Sequence, residues 1–318
     1  MSRQSQLEQQ VHKIFSEHNH EHSIATRWRY EDGATRFADF VAENFGLQKI
    51  SNVSAKHVFA YFEQMKSKGI SPATMRTDLS GIRFMQEKSG SHNKLPDNRA
   101  FDLPKRSVGV VDRAWMAPEI EKGTQLAKDM GREDVNHAIM LSSQFGLRIE
   151  GCANLRCYQI TDALKTGELH IERGQEKNGK ERWIPITMPS QRETLQEINA
   201  HMRDAGRHGG DRVCVQDVHQ KVGQTIRSLQ DWMGNHRGKI QERGDNPAFR
   251  KYQERATEAG VKLRTDSLSF HGLRYTYAQN RYAELIRDGK TPAYARKEVS
   301  LCLGHNREAI TKIYLAEK

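Results

Sequence analysis

The chain has 318 residues, enough for two ordinary domains that each bury a core. Its formal net charge of +10 favours a polyanionic partner, and the basic residues are spread along the chain rather than gathered in a tail. No apolar run nears the ~20 residues that cross a bilayer, and MSRQSQLEQQVHKIF lacks the apolar core and small-residue cleavage site of a secretory leader, so a soluble, cytoplasmic protein is expected.

Residues 1–90 read as a small all-helical domain. Trp28, Phe37, Phe40, Val41 and Phe45 fall at helical spacing before a stop at Gly46. Val58, Phe62 and Met65 repeat the pattern up to Gly69. Ser71-Pro72 supplies an N-cap and a proline at the first helical position, and Met75, Leu79 and Ile82 give that helix its buried stripe. Arg76 and Arg83 fall on its other face, where they could lie against phosphates. His18, His20 and His22 form a dense group between two helical patterns, read as a solvated loop rather than a metal site. From Ser89 to Arg113, Gly90, Pro96 and Pro104 interrupt the pattern, and Lys94, Arg99, Lys105 and Arg106 make it basic. This stretch, 91–113, reads as an extended linker able to follow a nucleic-acid backbone.

The remainder, 114–318, mixes helices with a short sheet. Glu119 to Met130 and Asn136 to Phe145 are helical in period. Leu169 and Ile171 alternate, as do Ile184 and Ile186, and the Asn178-Gly179 pair between them predicts a two-residue hairpin turn. Pro185 cannot donate to a ladder, which puts the second strand at a sheet edge or leaves that position unpaired. Residues 190–260 read as helical and polar, broken at 206–210 and 234–244. Cys152, Cys157, Cys214 and Cys302 show no CxxC pair and no zinc spacing, so they read as buried thiols in a reducing compartment.

Five islands remain, each weak by itself: GLR at 146–148, KNGK at 177–180, HGLR at 271–274, LGH at 303–305, and Tyr314. In that order and spacing they resemble the tyrosine recombinase (phage integrase) family. FGLRIEGCANLR is similar to its first arginine box, EKNGKERWIPI to its lysine hairpin, SFHGLRYTYAQNRY to its His-x-x-Arg box, and LCLGHNREAITKIYL to its final box. SPATMRTDLSGIR resembles the last helix of its N-terminal core-binding domain. The resemblance implies a mainly α fold with a small antiparallel β-sheet: a helical core-binding domain over 1–90, the basic linker, and a mixed α/β catalytic domain over 114–318.

It also implies chemistry. Breaking a phosphodiester without a metal needs fixed positive charge around the phosphorus. Arg148 and Arg274 suit this, because a guanidinium stays charged and grips two oxygens in a fork. His271, three residues before Arg274, shares its face if both are helical. Tyr314 is the implied nucleophile, with His305 near the phosphate or the phenolic proton. The leaving 5′ oxygen takes its proton from a lysine of the hairpin. Lys177 and Lys180 flank the turn and would face the same side, so geometry leaves the choice open, while alignment on KERWIPI favours Lys177. Lys180, Arg76, Arg83, Lys105 and Arg106 are then the expected DNA contacts. No cofactor or metal is expected, and GxxxxGK[ST] is absent.

The pattern departs from the family at Gly151, where an acid usually follows the first arginine by three; Glu150 sits one earlier. The stretches 209–260 and 283–295 read as helical insertions. The resemblance implies a site-specific recombinase acting on double-stranded DNA as a homotetramer on two sites, with accessory DNA-bending proteins and a nucleoid location. Integration or excision of a mobile element is the expected role; a type IB topoisomerase-like enzyme or a non-catalytic DNA binder are the alternatives.

Overall fold

Leu7, Val11 and Phe15 recur every fourth residue, and this stripe buries one side of α1 (Arg3–Glu17). α2 (Ile24–Phe45) begins with the Ser23 hydroxyl accepting from Thr26 N at 3.3 Å and ends at a left-handed Gly46. α3 (Ala55–Ser67) and α4 (Pro72–Lys88) follow, the latter capped by Ser71, whose Oγ accepts from Thr74 N at 3.1 Å. The computed structural model describes residues 3–104, 112–176, 180–242, 254, 268–305 and 308–315, and the chain divides into two units, Met1–Ser107 and Val108–Lys318.

In the first unit α2 packs on α1 and α4 around Phe37, Val41, Phe62, Met75, Leu79 and Ile82. Asp78 lies wholly buried in this core, held by Arg36 at 2.7 Å and the Tyr61 hydroxyl at 2.9 Å. Trp28 departs from the expected stripe: burial on α2 begins only at Gly33, and Trp28 is 57% exposed. The expected linker also departs from its reading over 91–104. Phe101 and Leu103 enter the first unit's core through a short 3-10 turn, Asn98–Phe101, and Asn93 Nδ2 donates to Val53 O at 3.1 Å. Apolar burial outweighs the proline and glycine breaks there. Lys105 and Arg106 lie outside the described residues.

The second unit is built around α6 (Glu133–Phe145), buried on nearly every side and flanked by α5 (Ala117–Asp129), α7 (Ile149–Asn154), α9 (Pro189–Asp204) and α11 (Phe270–Arg287). α8 (Cys157–Thr166) packs on α9 and on a two-stranded antiparallel sheet, β1 (Glu168–Ile171) and β2 (Arg182–Pro185). α10 (Val222–Ile240) touches α5 and α7, while α12 (Pro292–Cys302) and α13 (Glu308–Tyr314) close onto α11. α10 runs through Gly234, where a break was expected, because Leu229, Trp232, Met233 and Ile240 bury its face; that outweighs the ~1 kcal/mol a helical glycine costs. All four cysteines are free and buried. Among the described residues no helix is long and apolar enough to cross a membrane.

The strand register differs from the one a two-residue turn would carry through to the sheet, while the expected turn at Asn178-Gly179 lies outside the described residues. Leu169 pairs with Ile184 and Ile171 with Arg182, whereas a two-residue turn at 178–179 would pair Gln175 with Arg182. Beyond the ladder Gln175 and Glu176 turn inward. Gln175 exchanges hydrogen bonds with Gln159 at 2.8 and 3.0 Å and accepts from Glu172 N, and Glu176 is drawn to Arg182 at 2.9 Å. Lys177, and with it the facing geometry expected of Lys177 and Lys180, lies outside the described residues.

Candidate active site

Gly146 ends α6 with φ 63°, where a Cβ would collide with the Tyr277 ring. The reversal buries Leu147 and sets Arg148 as the N-cap residue of α7. α11 presents His271 and Arg274 one turn apart. A second left-handed glycine, Gly304, ends α12 and turns His305 back, its backbone N–H donating to Ser300 O at 2.9 Å. α13 then carries Tyr314 into the same place. Five of the expected residues, from four separate stretches, therefore converge: Arg148, His271, Arg274, His305 and Tyr314.

Arg148 Nη2 lies 3.2 Å and Arg274 Nη2 3.1 Å from His305 Nε2. Both guanidiniums can only donate, so Nε2 accepts and the ring is neutral. Arg274 is 0% exposed; it donates to the Gly146 carbonyl and, at 2.9 Å, to the Leu303 carbonyl, while its Nε has no partner among the described residues. Tyr314 is buried against Tyr275, His271 and His305, with the Arg274 guanidinium 5.8 Å from its ring centre. Its hydroxyl is 3.4 Å from His271 Nε2.

Two residues of this site escaped the sequence reading. Glu176, buried beneath the arginines, accepts from Arg148 Nη1 at 2.6 Å, from the Arg148 backbone N–H at 2.9 Å and from Arg182 Nη2 at 2.9 Å. Arg182, also buried, donates from Nε to the Cys302 carbonyl at 2.8 Å and so ties β2 to the Gly304 turn. Gly151 makes room for this carboxylate: a Cβ there would lie 2.5 Å from Glu176 Oε1. The position where an acid was expected is thus filled by an acid from another segment. The only signal was the pairing of an absent acid at 151 with an unexplained one at 176.

Burial would raise the Glu176 carboxyl; Arg182, Arg274 and Arg148 overturn that and hold it down at about 2. Burial and then Arg148 push Arg274 down to about 10, which leaves it charged at neutral pH. Burial, followed by Arg274, Arg148 and Arg182, pushes His305 down to about 3. His271, although one edge is exposed, moves the same way through desolvation of its ring, Arg274, Arg148 and Arg113. A neutral His305 therefore contributes stability that is full above its ordinary value near 6.5 and drains as pH falls toward about 3. Glu176 adds a loss between its ordinary 4.5 and about 2. Urea unfolding from pH 7 to pH 4 should show stability falling with pH, and less steeply in His305→Gln; parallel profiles would refute the assignment of a neutral His305.

The remaining candidates lie elsewhere. Lys180 lines an open pocket of about 300 Å³ with Arg182, Trp183, Leu301, Gly304 and His305. In the first unit, Arg76 donates to the Leu103 and Pro104 carbonyls at 3.1 and 3.2 Å, and Arg83 to Asn98 Oδ1 at 2.9 Å and to the Pro96 carbonyl. Both arginines hold the chain's own 96–104 segment.

Solved structures with this arrangement of elements include the integrase of transposon Tn1549 "in complex with transposon right end DNA", with TM-score 0.56, 16% identity, and 97% of this chain and 95% of that one covered. A lambda integrase dimer "bound to a COC' core site" has TM-score 0.59 and 14% identity over 96% of this chain and 76% of that one. A lambda integrase tetramer "bound to a Holliday junction" has TM-score 0.58 and 16% identity over 98% and 78%. The fold is that of the tyrosine recombinases. Residues 4–95 also match the family model described as phage integrase, N-terminal. A comparison with curated protein sequences finds no match.

Proposed function

We propose that the chain is a site-specific DNA recombinase that breaks and rejoins strands through a 3′-phosphotyrosyl link to Tyr314. The observation that carries this reading is the convergence of a buried tyrosine hydroxyl, a neutral imidazole 3.4 Å from it, and two guanidiniums aimed at one acceptor atom. In the cleavage step Tyr314 Oη bonds to phosphorus as its proton passes to His271 Nε2, and the bond from phosphorus to the 5′ oxygen breaks. Arg148 and Arg274 neutralise the charge gathering on the non-bridging oxygens. A phosphate oxygen competes with His305 Nε2 for the same two N–H groups, so His305 yields its acceptor position as DNA enters. Its other ring nitrogen then remains to bond the phosphate.

The leaving 5′ oxygen takes its proton from a hairpin lysine. Lys177 is favoured by the family resemblance and Lys180 by its pocket beside His305. Bond energy is kept in the phosphotyrosine, and rejoining reverses the step. Double-stranded DNA is the partner, with affinity that falls as salt rises. Assembly as a homotetramer on two sites, help from DNA-bending proteins, cytoplasmic, nucleoid-associated action and a role in moving a mobile element follow from the same kinship; lambda integrase has been seen as a tetramer on a Holliday junction.

The test is covalent capture on a nicked duplex library of random sequence, denatured in detergent, with Tyr314→Phe in parallel. Adducts from the unaltered chain alone, converging on one sequence, are the expected result. Adducts without convergence would favour a topoisomerase-like enzyme. Salt-sensitive binding with no adduct would favour a non-catalytic DNA binder.

A further inference from the structure

Glu133 and His137 stand one turn apart on α6, and His201 on α9 packs its ring against His137, the ring centres 4.9 Å apart and steeply inclined. The potential ligand atoms of the three side chains, one from each, lie within 4.8 Å of one another, and Glu133 Oε2 is 3.9 Å from His137 Nε2. His137 is 1% exposed, and among the described residues neither ring nitrogen makes a hydrogen bond; the Val213 backbone is near enough to favour the charged ring slightly, yet closes none. His201 Nδ1 is likewise buried without a partner. Leaving a buried polar group unpaired costs about 1–3 kcal/mol, so several together in one spot call for a ligand.

We propose that Glu133, His137 and His201 bind one divalent transition-metal ion of the zinc class, which clips α6 to α9. Two imidazoles and one carboxylate are the donor set that such an ion takes and that magnesium or calcium does not. Around a tetrahedral ion with ~2.0–2.1 Å bonds the ligand atoms stand ~3.3 Å apart. The present spacing therefore has to close by at most about 1.5 Å, within reach of side-chain rotation. Support for the carboxylate is already built: Asn136 Nδ2 donates to Glu133 Oε2 at 2.9 Å. Burial and the neighbouring His201 hold His137 down at about 4, so its lone pair meets no competing proton at neutral pH. Glu133 is 35% exposed, which leaves the ion a route in and solvent as the fourth ligand. The site is nine residues before Gly146, ~13 Å along α6, so the ion steadies the frame of the active site without touching it. The proposal is independent of the recombinase reading, because it needs no DNA.

The test uses the full chain without a polyhistidine tag, freed of metal by a chelator and titrated with Zn(II) and Co(II). One equivalent should bind with the intense visible absorption of four-coordinate Co(II), and the melting temperature should rise with ion concentration. His201→Asn and Glu133→Gln alter side chains that are only partly buried, and each should weaken binding by roughly 100-fold or more while keeping the helical spectrum of the unaltered chain. Unchanged affinity in both variants would locate the metal elsewhere and overturn the proposal. So would the absence of any stoichiometric binding, which would leave the cluster a solvent-bridged pair of imidazoles.

Discussion

Arg148→Ala is expected to lower strand cleavage by at least ~10²–10³ while leaving the protein folded, whereas Arg274→Ala should lose both cleavage and stability. The difference follows from burial. The Arg148 side chain is 23% exposed, and without it Glu176 keeps Arg182. Arg274 is wholly buried and satisfies the Gly146 and Leu303 carbonyls, the two turns that aim Arg148 and His305. Truncation there leaves both carbonyls unpaired, at about 1–3 kcal/mol each, and opens a cavity where the guanidinium lay. Arg274→Lys keeps charge but not the fork, so it should recover some stability and little cleavage. Cleavage rates on a nicked duplex and urea unfolding of the same preparations separate the effects. Normal cleavage by Arg148→Ala would remove the guanidinium pair from the mechanism.

The parts legible in the sequence were those written locally. Ser71-Pro72 begins a helix and Gly46 ends one as cap chemistry requires, and the stripe Met75, Leu79, Ile82 is buried as its period implies. The islands at 148, 271–274, 305 and 314 meet, although nothing local says that they should; family resemblance, not periodicity, supplied that expectation. Illegible were the features decided by contacts between distant segments. The strand register sets Ile171 opposite Arg182, from where Arg182 reaches Glu176, a pairing that no local signal announces. The segment 91–104 reads as a linker until Phe101 and Leu103 find the first unit's core. Glu133, His137 and His201 are unremarkable in sequence because one helix supplies two of them and a helix more than fifty residues on supplies the third.

Glu176→Ala is expected to destabilise the second unit by about 3–5 kcal/mol and to abolish cleavage, because it removes a buried carboxylate that sits among three guanidiniums, those of Arg182, Arg274 and Arg148. Without it, Arg148 loses the anchor of both its side chain and its backbone N–H, and Arg182 loses its link to Arg148. A role confined to packing would be rescued by Glu176→Gln, which has the same shape. A role in balancing charge would not, since a neutral amide leaves the guanidiniums repelling one another. Gly151→Ala alone should cost about 1–3 kcal/mol, because its Cβ would press on the carboxylate with little space to yield. Combining Glu176→Gly with Gly151→Glu brings a carboxylate back from the α7 side, the geometry the family usually has, and should restore much of the stability and part of the cleavage. Recovery in the pair, against loss in each single variant, would mean that the site needs a buried carboxylate and tolerates either source of it. Stability in Glu176→Ala equal to that of the unaltered chain would mean that the arginines hold their positions without it, and that the close fit of Gly151 to Glu176 has no energetic consequence.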